Sequence, residues 1–320
     1  MAITLVICLT VLVAAVQILA AVRERAGRAA FPPSGQFVQV DGIDIHMHVS
    51  GKGPDVVLIH GASGSLRDFT FDLANRLNDR YRVIAVDRPG HGWSDRADGY
   101  GGALNLKAEP PALQARLLRR AVAQLGVTKP VVVGHSYGGA VALAWAVDSP
   151  DKTAALVLLG AASMPWPGSL DPIYRINASL PGSLLAVPLI SALVPSSYID
   201  RSVNGIFAPQ EMPAGYLAHF GPLRSLTRSS LRANAQQVNS LRPHIVDMAA
   251  EYPGLTLPVE ALHGTADTTV PMDIHSEPLV EVLPDATLTR LEGVGHMPQH
   301  AMPEEVEAAI DRAASRAGLR

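Results

Sequence analysis

The sequence predicts an α/β fold, with a mostly parallel sheet that is covered by helices on both faces. Short runs rich in β-branched residues alternate with helical stretches over most of the chain, which is typical of such sheets. Runs such as Asp55–Ile59 are continuously apolar, as in strands buried on both faces. With 48% hydrophobic and 17% charged residues and a net charge of −3, the composition excludes a disordered chain and a basic nucleic-acid-binding protein.

The first 22 residues are predicted to form a transmembrane anchor. Ala2–Val22 carries no charge and is long enough, as a helix, to cross a bilayer core. Arg23, Arg25 and Arg28 follow, which favours a cytoplasmic side for the rest of the chain. The alternative is a signal peptide with secretion after cleavage, although such segments have a basic start and a shorter apolar core. Residues 23–35 are interpreted as a juxtamembrane linker that ends in the Pro- and Gly-containing run AAFPPSG.

Residues 36–160 are predicted to form the first part of an α/β core. Two strands, Phe37–Val40 and Ile43–Val49, are separated by an Asp-Gly turn. Later strands alternate with helices, so they are expected to pair in parallel. The remaining predicted elements are the strands Asp55–Ile59, Arg82–Val86, Pro130–Gly134 and Ala155–Leu159 and the helices Leu66–Leu77, Pro110–Leu125 and Tyr137–Val147.

Residues 161–252 differ from the rest because they contain many prolines and short helical pieces but no strong strand. We interpret them as a helical cap inserted over one end of the sheet. Within them, Arg224, Arg228 and Arg232 are spaced to share one helix face, which we expect to be solvated. Residues 253–320 return to the alternating pattern and form the second part of the core. Their predicted elements are the strands Leu257–Leu262 and Thr287–Leu291 and the helices Met272–Val282 and Pro303–Ala317.

The strongest chemical signal is the pentapeptide Gly134-His135-Ser136-Tyr137-Gly138, a G-x-S-x-G motif. It directly follows one predicted strand and precedes a predicted helix, the context of a nucleophile elbow. Glycines let backbone segments pass closely around such a turn. The following helix points its first amides and the positive end of its dipole towards developing negative charge. Ser136 is therefore predicted to be a nucleophile.

A serine nucleophile needs a base, and the base needs an acid that orients it. In this type of fold the acid and then the histidine follow the serine along the chain. Asp267, in HGTAD, and His296, in EGVGHMPQH, each come just after a predicted strand and are assigned these roles. His300 is a competing base. Asp273 is a weaker competing acid, because we expect it to lie inside a helix.

An oxyanion hole is predicted from two backbone amides. One is the N–H of Tyr137, the residue after the nucleophile, and the other is the N–H of Ala62 in HGASG, which follows the strand DVVLI. The run DRPGHGWSD, residues 87–95, contains one proline and two glycines that shape a tight loop. We expect this loop to be structural and to lie beside the site.

Together these motifs resemble the α/β-hydrolase fold superfamily, and the resemblance covers residues 36–320 in the order of the family. It implies an eight-stranded, mostly parallel sheet with a cap inserted at about residues 161–252. DRPGHGWSD is similar to the epoxide hydrolase and haloalkane dehalogenase branch. Those enzymes carry Asp where this chain has Ser136. The serine variant is similar to carboxylesterases, lactonases, C–C bond hydrolases and haloperoxidase-like esterases.

The sequence therefore predicts a membrane-anchored serine hydrolase that cleaves an ester or similar acyl bond of a small, apolar substrate. The alternatives are a C–C bond hydrolase or haloperoxidase-like esterase using the same triad, or a non-catalytic binding protein on this fold. No nucleotide-binding motif occurs, and His46 and His48 lack further ligands at metal spacing, so neither a cofactor nor a metal is expected. The pattern indicates neither a nucleic-acid partner nor an oligomeric state.

Overall fold

A computed structural model describes residues 1–320, and its centre is one eight-stranded sheet with strand order β1-β2-β4-β3-β5-β6-β7-β8. The pairs β1/β2 and β2/β4 are antiparallel, and the other pairs are parallel. The predicted α/β fold with an eight-stranded, mostly parallel sheet is confirmed. The strands are β1 Gln36–Val40, β2 Ile43–Gly51, β3 Asp55–Ile59, β4 Arg82–Val86, β5 Val131–His135, β6 Ala155–Leu159, β7 Val259–Gly264 and β8 Ala286–Leu291.

The helices flank the sheet and also fill the interval between β6 and β7. We call residues 161–252, most of that interval, the cap segment. The helices outside the cap segment are α1 Ala2–Ala30, α2 Arg67–Thr70, α3 Leu73–Leu77, α4 Pro111–Ala123, α5 Tyr137–Asp148, α11 Ser276–Val282, α12 Pro298–Ala301 and α13 Pro303–Arg316. Those of the cap segment are α6 Pro172–Ala178, α7 Val187–Leu193, α8 Ser196–Ile206, α9 Tyr216–Phe220 and α10 Arg228–Ala249.

Two predicted helices differ from the structure. The helix expected at Leu66–Leu77 is two short helices, because Asp72 between them leaves the helical conformation at φ −145°. The helix expected at Met272–Val282 begins only at Ser276, after a turn. Asp273 therefore lies in an exposed turn, and the prediction that it is inside a helix was wrong.

The parallel strands are buried on both faces, which explains their continuous apolar sequences. In β3, Val57 and Ile59 belong to the larger apolar cluster, with α4, α5 and α11. Val56 and Leu58 face the other cluster, with α2, α3 and α13. Helix α5 lies so close to the sheet that a Cβ atom on Gly138 would stand 2.1 Å from the Ile59 carbonyl oxygen. Glycine is therefore required there for the helix to pack at this distance.

Helix α1 is longer than the predicted anchor. It continues to Ala30, so the first eight residues of the predicted linker, 23–30, are helical rather than irregular. This run consists mostly of Arg, Glu and Ala, which favour helices, and the helix ends before Pro32. Its N-terminal part is long and apolar enough to cross a membrane, with a mean hydropathy of 2.8 over the best window of 18 residues.

The arginines at 224, 228 and 232 do not form a solvated face. Arg228 pairs with Glu24 and donates to Gln17 Oε1 at 2.5 Å, so it binds α1. Arg224 is 5% exposed and stacks on Trp93, and Arg232 is 4% exposed and donates to carbonyls of the cap segment. The prediction was wrong because α10 begins only at Arg228, which leaves Arg224 in a separate 3₁₀ turn, and because α1, Trp93 and the cap segment itself cover the three side chains.

Candidate active site

The carboxyl ends of the parallel strands face the cap segment across a cavity of about 370 Å³. Open α/β sheets bind their ligands at this edge. Ser136 and His296 both line the cavity from the sheet side. Apolar side chains of the cap segment line the opposite side, and they include Ile190, Val194, Ile199, Val203, Ile206 and Phe207.

Ser136 occupies a strained turn between β5 and α5. Its backbone has φ +54° and ψ −119°, a conformation that residues with a side chain rarely adopt. The turn is tight because a Cβ atom on Gly134 would stand 2.4 Å from the carbonyl oxygen of Gly138. The two glycines of the motif therefore let the strand and helix cross, and the serine hydroxyl is left at the cavity.

His296 and Asp267 form a buried pair beside the serine. His296 Nδ1 lies 2.7 Å from Asp267 Oδ2, and the two residues are 5% and 7% exposed. The other carboxylate oxygen, Oδ1, accepts from the N–H groups of Thr269 and Val270 at 2.8 and 2.9 Å. Because Nδ1 donates to the carboxylate, Nε2 of His296 is left as the basic atom.

The environment keeps Asp267 ionised. Burial opposes its charge, but the hydrogen bonds from His263 and His296 outweigh burial and hold the pKa of the carboxyl well below its usual range. An ionised carboxylate fixes the tautomer of His296 and stabilises its protonated form. The pair is thus organised to accept a proton through Nε2.

His263, at the end of β7, is a site residue that the sequence reasoning missed. It is fully buried, and its Nε2 lies 2.7 Å from the Val270 carbonyl oxygen and 3.3 Å from Asp267 Oδ2. Its Nδ1 lies 2.6 Å from Ser276 Oγ, which fixes the ring. The signal was present, because His263 opens the same HGTAD run that contains Asp267.

The two competing residues lie elsewhere. His300 donates from Nε2 to Asp68 Oδ1 at 2.8 Å and does not line the cavity. Asp68 also accepts from the Tyr216 hydroxyl at 2.7 Å, so this buried group ties the cap segment to the core. Asp273 is exposed. Ser136 and His296 therefore line one cavity, with Asp267 in contact with His296, whereas neither competitor lines that cavity.

Of the two residues predicted to supply oxyanion amides, Ala62 lines the cavity, and Tyr137 directly follows Ser136, which also lines it. Ala62 has no hydrogen-bond acceptor for its N–H among the loop contacts, and Tyr137 opens α5, where the first amides have no partner inside the helix. The loop around Ala62 is held in place by Arg88, which donates to the carbonyl oxygens of His60 and Gly61 at 2.9 and 3.0 Å. Arg88 belongs to DRPGHGWSD, and these contacts agree with a structural role for that run.

Buried histidines near the site make stability depend on pH. Burial, followed by the nearby His296, lowers the pKa of His135 to about 4, against about 6.5 for a free histidine. Between these two values the unfolded chain binds more protons than the folded protein, so stability falls as the pH falls from about 6.5 to about 4.

Replacing His135 by glutamine removes this titration. We expect the melting temperature of H135Q to fall less steeply than that of the parent between pH 6.5 and 4.5, even if its value at pH 7 is lower. Thermal unfolding of the full chain in detergent measures both slopes. Equal slopes would show that His135 titrates alike in the folded and unfolded states.

A serine at a strand-to-helix turn, beside a histidine–aspartate pair at the carboxyl edge of a parallel sheet, defines the hydrolase class of α/β proteins. Sequence similarity agrees with this class. Residues 56–309 match the profile of the Alpha/beta hydrolase family, and the chain belongs to that family.

Relatives and solved structures extend over most of the chain. It is 25% identical over 281 residues to haloalkane dehalogenase 2 of Mycobacterium tuberculosis, covering 83% of this chain and 90% of that protein. It is 28% identical over 269 residues to a 2-hydroxy-6-oxononadienedioate/2-hydroxy-6-oxononatrienedioate hydrolase of a Pseudomonas species, covering 80% and 86%. The crystal structure of a membrane phospholipase A from a bacterium superposes with a TM-score of 0.67 and 21% identity, over 98% of this chain and 96% of that chain.

Proposed function

We propose that the protein is a serine hydrolase that cleaves a neutral, apolar ester through an acyl-enzyme intermediate. The observation that carries this proposal is the 2.7 Å contact between His296 Nδ1 and Asp267 Oδ2, with Ser136 on the same cavity. Ser136, Asp267 and His296 are far apart in the sequence, but each follows a strand at one edge of the sheet.

The steps follow from the positions of these groups. His296 Nε2 removes the proton of Ser136 Oγ as the oxygen attacks the ester carbonyl carbon, and the N–H groups of Ala62 and Tyr137 stabilise the oxyanion. His296 then gives the proton to the leaving alcohol as the C–O bond breaks. A water molecule, deprotonated by His296, attacks the acyl carbon. His296 then returns this proton to Ser136 Oγ as the C–O bond to the serine breaks, which releases the carboxylic acid. Asp267 stays ionised and holds the imidazole throughout.

The lining of the cavity supports a neutral substrate. It contains no lysine or arginine, and its one carboxylate is Asp68. An anionic substrate would enter without a cation to offset the loss of its hydration, which is costly in an apolar cavity. The second candidate is a C–C bond hydrolase acting on a dienoic acid, because the Pseudomonas relative is named as a hydrolase of a dienedioate.

We also propose that α1 is retained as a membrane anchor. Arg228 of α10 binds both Gln17 and Glu24 of α1, and Arg23 donates to the Val194 carbonyl oxygen at 2.8 Å. Cleavage as a signal peptide would remove groups that the cap segment binds. The arginines after residue 22 favour a cytoplasmic catalytic domain. The structural likeness to a membrane phospholipase A is compatible with an anchored hydrolase.

The first test is covalent labelling of the full chain in detergent with a fluorophosphonate, which reacts with activated serines. We expect one adduct, mapped by mass spectrometry to Ser136, and hydrolysis of p-nitrophenyl butyrate that stops as labelling completes. A folded protein that gives no adduct and hydrolyses no neutral ester would overturn the proposal. Turnover of an anionic dienoate at a higher kcat/KM than any neutral ester would favour the second candidate.

A further inference from the structure

The catalytic domain covers only the C-terminal half of α1. Residues 2–15 are exposed all round, whereas from Val16 onwards one side of the helix is covered, and Ala20 and Gly27 are buried. The covering elements belong to the cap segment, with α7 packed along α1 and Leu223 against Gly27. The cap segment therefore overlaps the last seven residues of the apolar stretch Ala2–Val22.

This overlap limits how the protein sits in a membrane. The uncovered helix, residues 2–15, is about 21 Å long at 1.5 Å per residue, and the hydrocarbon core of a bilayer is about 30 Å thick. Only the whole apolar stretch, about 32 Å long, spans that core. Residues 16–22 must then lie inside the membrane, and the surface that packs on them must lie at the same depth.

The cap segment has the apolar surface that this depth requires, except that Arg228, which donates to Gln17, carries a charge that is paired with Glu24. Ile176–Ile199 is a run of 24 residues without a charged side chain, although it lies at the surface of the domain. Leu185 and Leu193, for example, are each 56% exposed. The other exposed apolar side chains of this run are Ile176, Leu180, Leu184, Leu189 and Tyr198.

A neighbouring loop of the core extends this surface. Leu104 and Leu106 are 72% and 62% exposed. The loop is tied to the cap segment because Ser183 Oγ donates to the Ala103 carbonyl oxygen at 2.6 Å. Exposed apolar side chains that are concentrated in one run, and in a loop bonded to that run, indicate an interaction site.

We propose that the outer face of Ile176–Ile199 is immersed in the lipid bilayer beside α1, and that substrate enters the cavity from the membrane. The occupant is a bilayer because the face adjoins an apolar helix that must itself be in lipid at that level. The same run also lines the cavity through Ile190, Val194, Tyr198 and Ile199. Tyr198 is 59% exposed, so the cavity mouth borders the immersed face.

Immersion is tested without any measurement of activity. The only cysteine, Cys8, is replaced by serine, and Leu185→Cys carries an environment-sensitive fluorophore in full-length protein in phosphatidylcholine–phosphatidylglycerol vesicles. The matched site is Ser315→Cys on α13, which is exposed on the core. We expect spin-labelled lipid to quench the label at 185 at least about three-fold more than that at 315, and aqueous iodide to show the reverse.

Two results would overturn the proposal. Equal iodide quenching at both positions would place the face in water. Protection of position 185 from both quenchers, with disulfide cross-linking between two chains of the unlabelled Leu185→Cys variant, would show that a second copy covers the face.

The substrate route, which rests on the proposed function, is tested with Leu185→Glu and the matched change Val246→Glu. Val246 is 45% exposed on α10 and is not among the residues that line the cavity. We expect Leu185→Glu to lower the hydrolysis of a long-chain ester dissolved in vesicles about ten-fold, while that of soluble p-nitrophenyl acetate changes less than two-fold. Equal effects of the two variants on the vesicle ester would contradict the route. Failure of the proposed function would look different from failure of the substrate route, because the parent protein would then hydrolyse neither ester.

Discussion

Replacement of Ser136 by alanine is expected to lower kcat for ester hydrolysis by at least about 10⁴-fold and to abolish fluorophosphonate labelling. The loss is large because no other group can form the acyl-enzyme at the oxyanion amides. The fold should persist, because alanine and serine carry the same Cβ atom and meet the same strain at φ +54°. Purified parent and variant are compared by steady-state kinetics with p-nitrophenyl butyrate, together with their melting temperatures.

The matched control is Ser149→Ala, because Ser149 follows the C-terminal end of α5 whereas Ser136 precedes its N-terminal end. Ser149 lies outside the cavity, and its variant should keep kcat within about two-fold of the parent. A Ser136→Ala protein that retains more than a tenth of the parent activity would exclude Ser136 as the nucleophile.

Replacement of Asp267 by asparagine is expected to lower kcat by about 10³–10⁴-fold with a small change in KM. The N–H groups of Thr269 and Val270 need an acceptor at the position of Oδ1, so the amide oxygen of asparagine is expected to stay there. Its NH₂ group then faces Nδ1 of His296 and forces the proton onto Nε2. An imidazole in this tautomer cannot accept the proton of Ser136.

Asp273→Asn is the control. It makes the same chemical change at Asp273, the exposed residue that the sequence offered as a competing acid. It should leave kcat within about two-fold. Full activity in Asp267→Asn, or a large loss in Asp273→Asn, would assign the acid to another carboxylate. Fluorophosphonate labelling rates report the same effect without turnover, and they should fall in Asp267→Asn alone.

The core elements were predictable because their signals are local. A continuous apolar strand, a proline at a helix start and a G-x-S-x-G turn depend on residues within a few positions of each other. The predicted positions of Asp267 and His296 follow from the chain order and from strand ends that meet at one edge. Asp72 and the turn before Ser276 escaped prediction, because a single break inside a helical pattern has no strong sequence signal.

The extent of α1 was also underestimated from the sequence. The change from apolar residues to arginines at Arg23 marks a chemical boundary but not a helix end, since arginine and alanine continue a helix well.

The α/β fold, the strained serine turn and the order of the chemical groups are encoded by neighbouring residues, so they could be predicted from the amino-acid sequence. Which side chains contact each other depends on the tertiary packing. His263 contacts Asp267 and His300 contacts Asp68. Both contacts depend on the distances between separate elements of the fold. Tertiary packing also brings Arg228 into contact with α1 and leaves apolar side chains of the uncharged run Ile176–Ile199 exposed. The spacing of arginines along a helix predicts a shared face but not what packs on it. Glu24 of α1, which binds Arg228, lies more than 200 residues before it in the sequence.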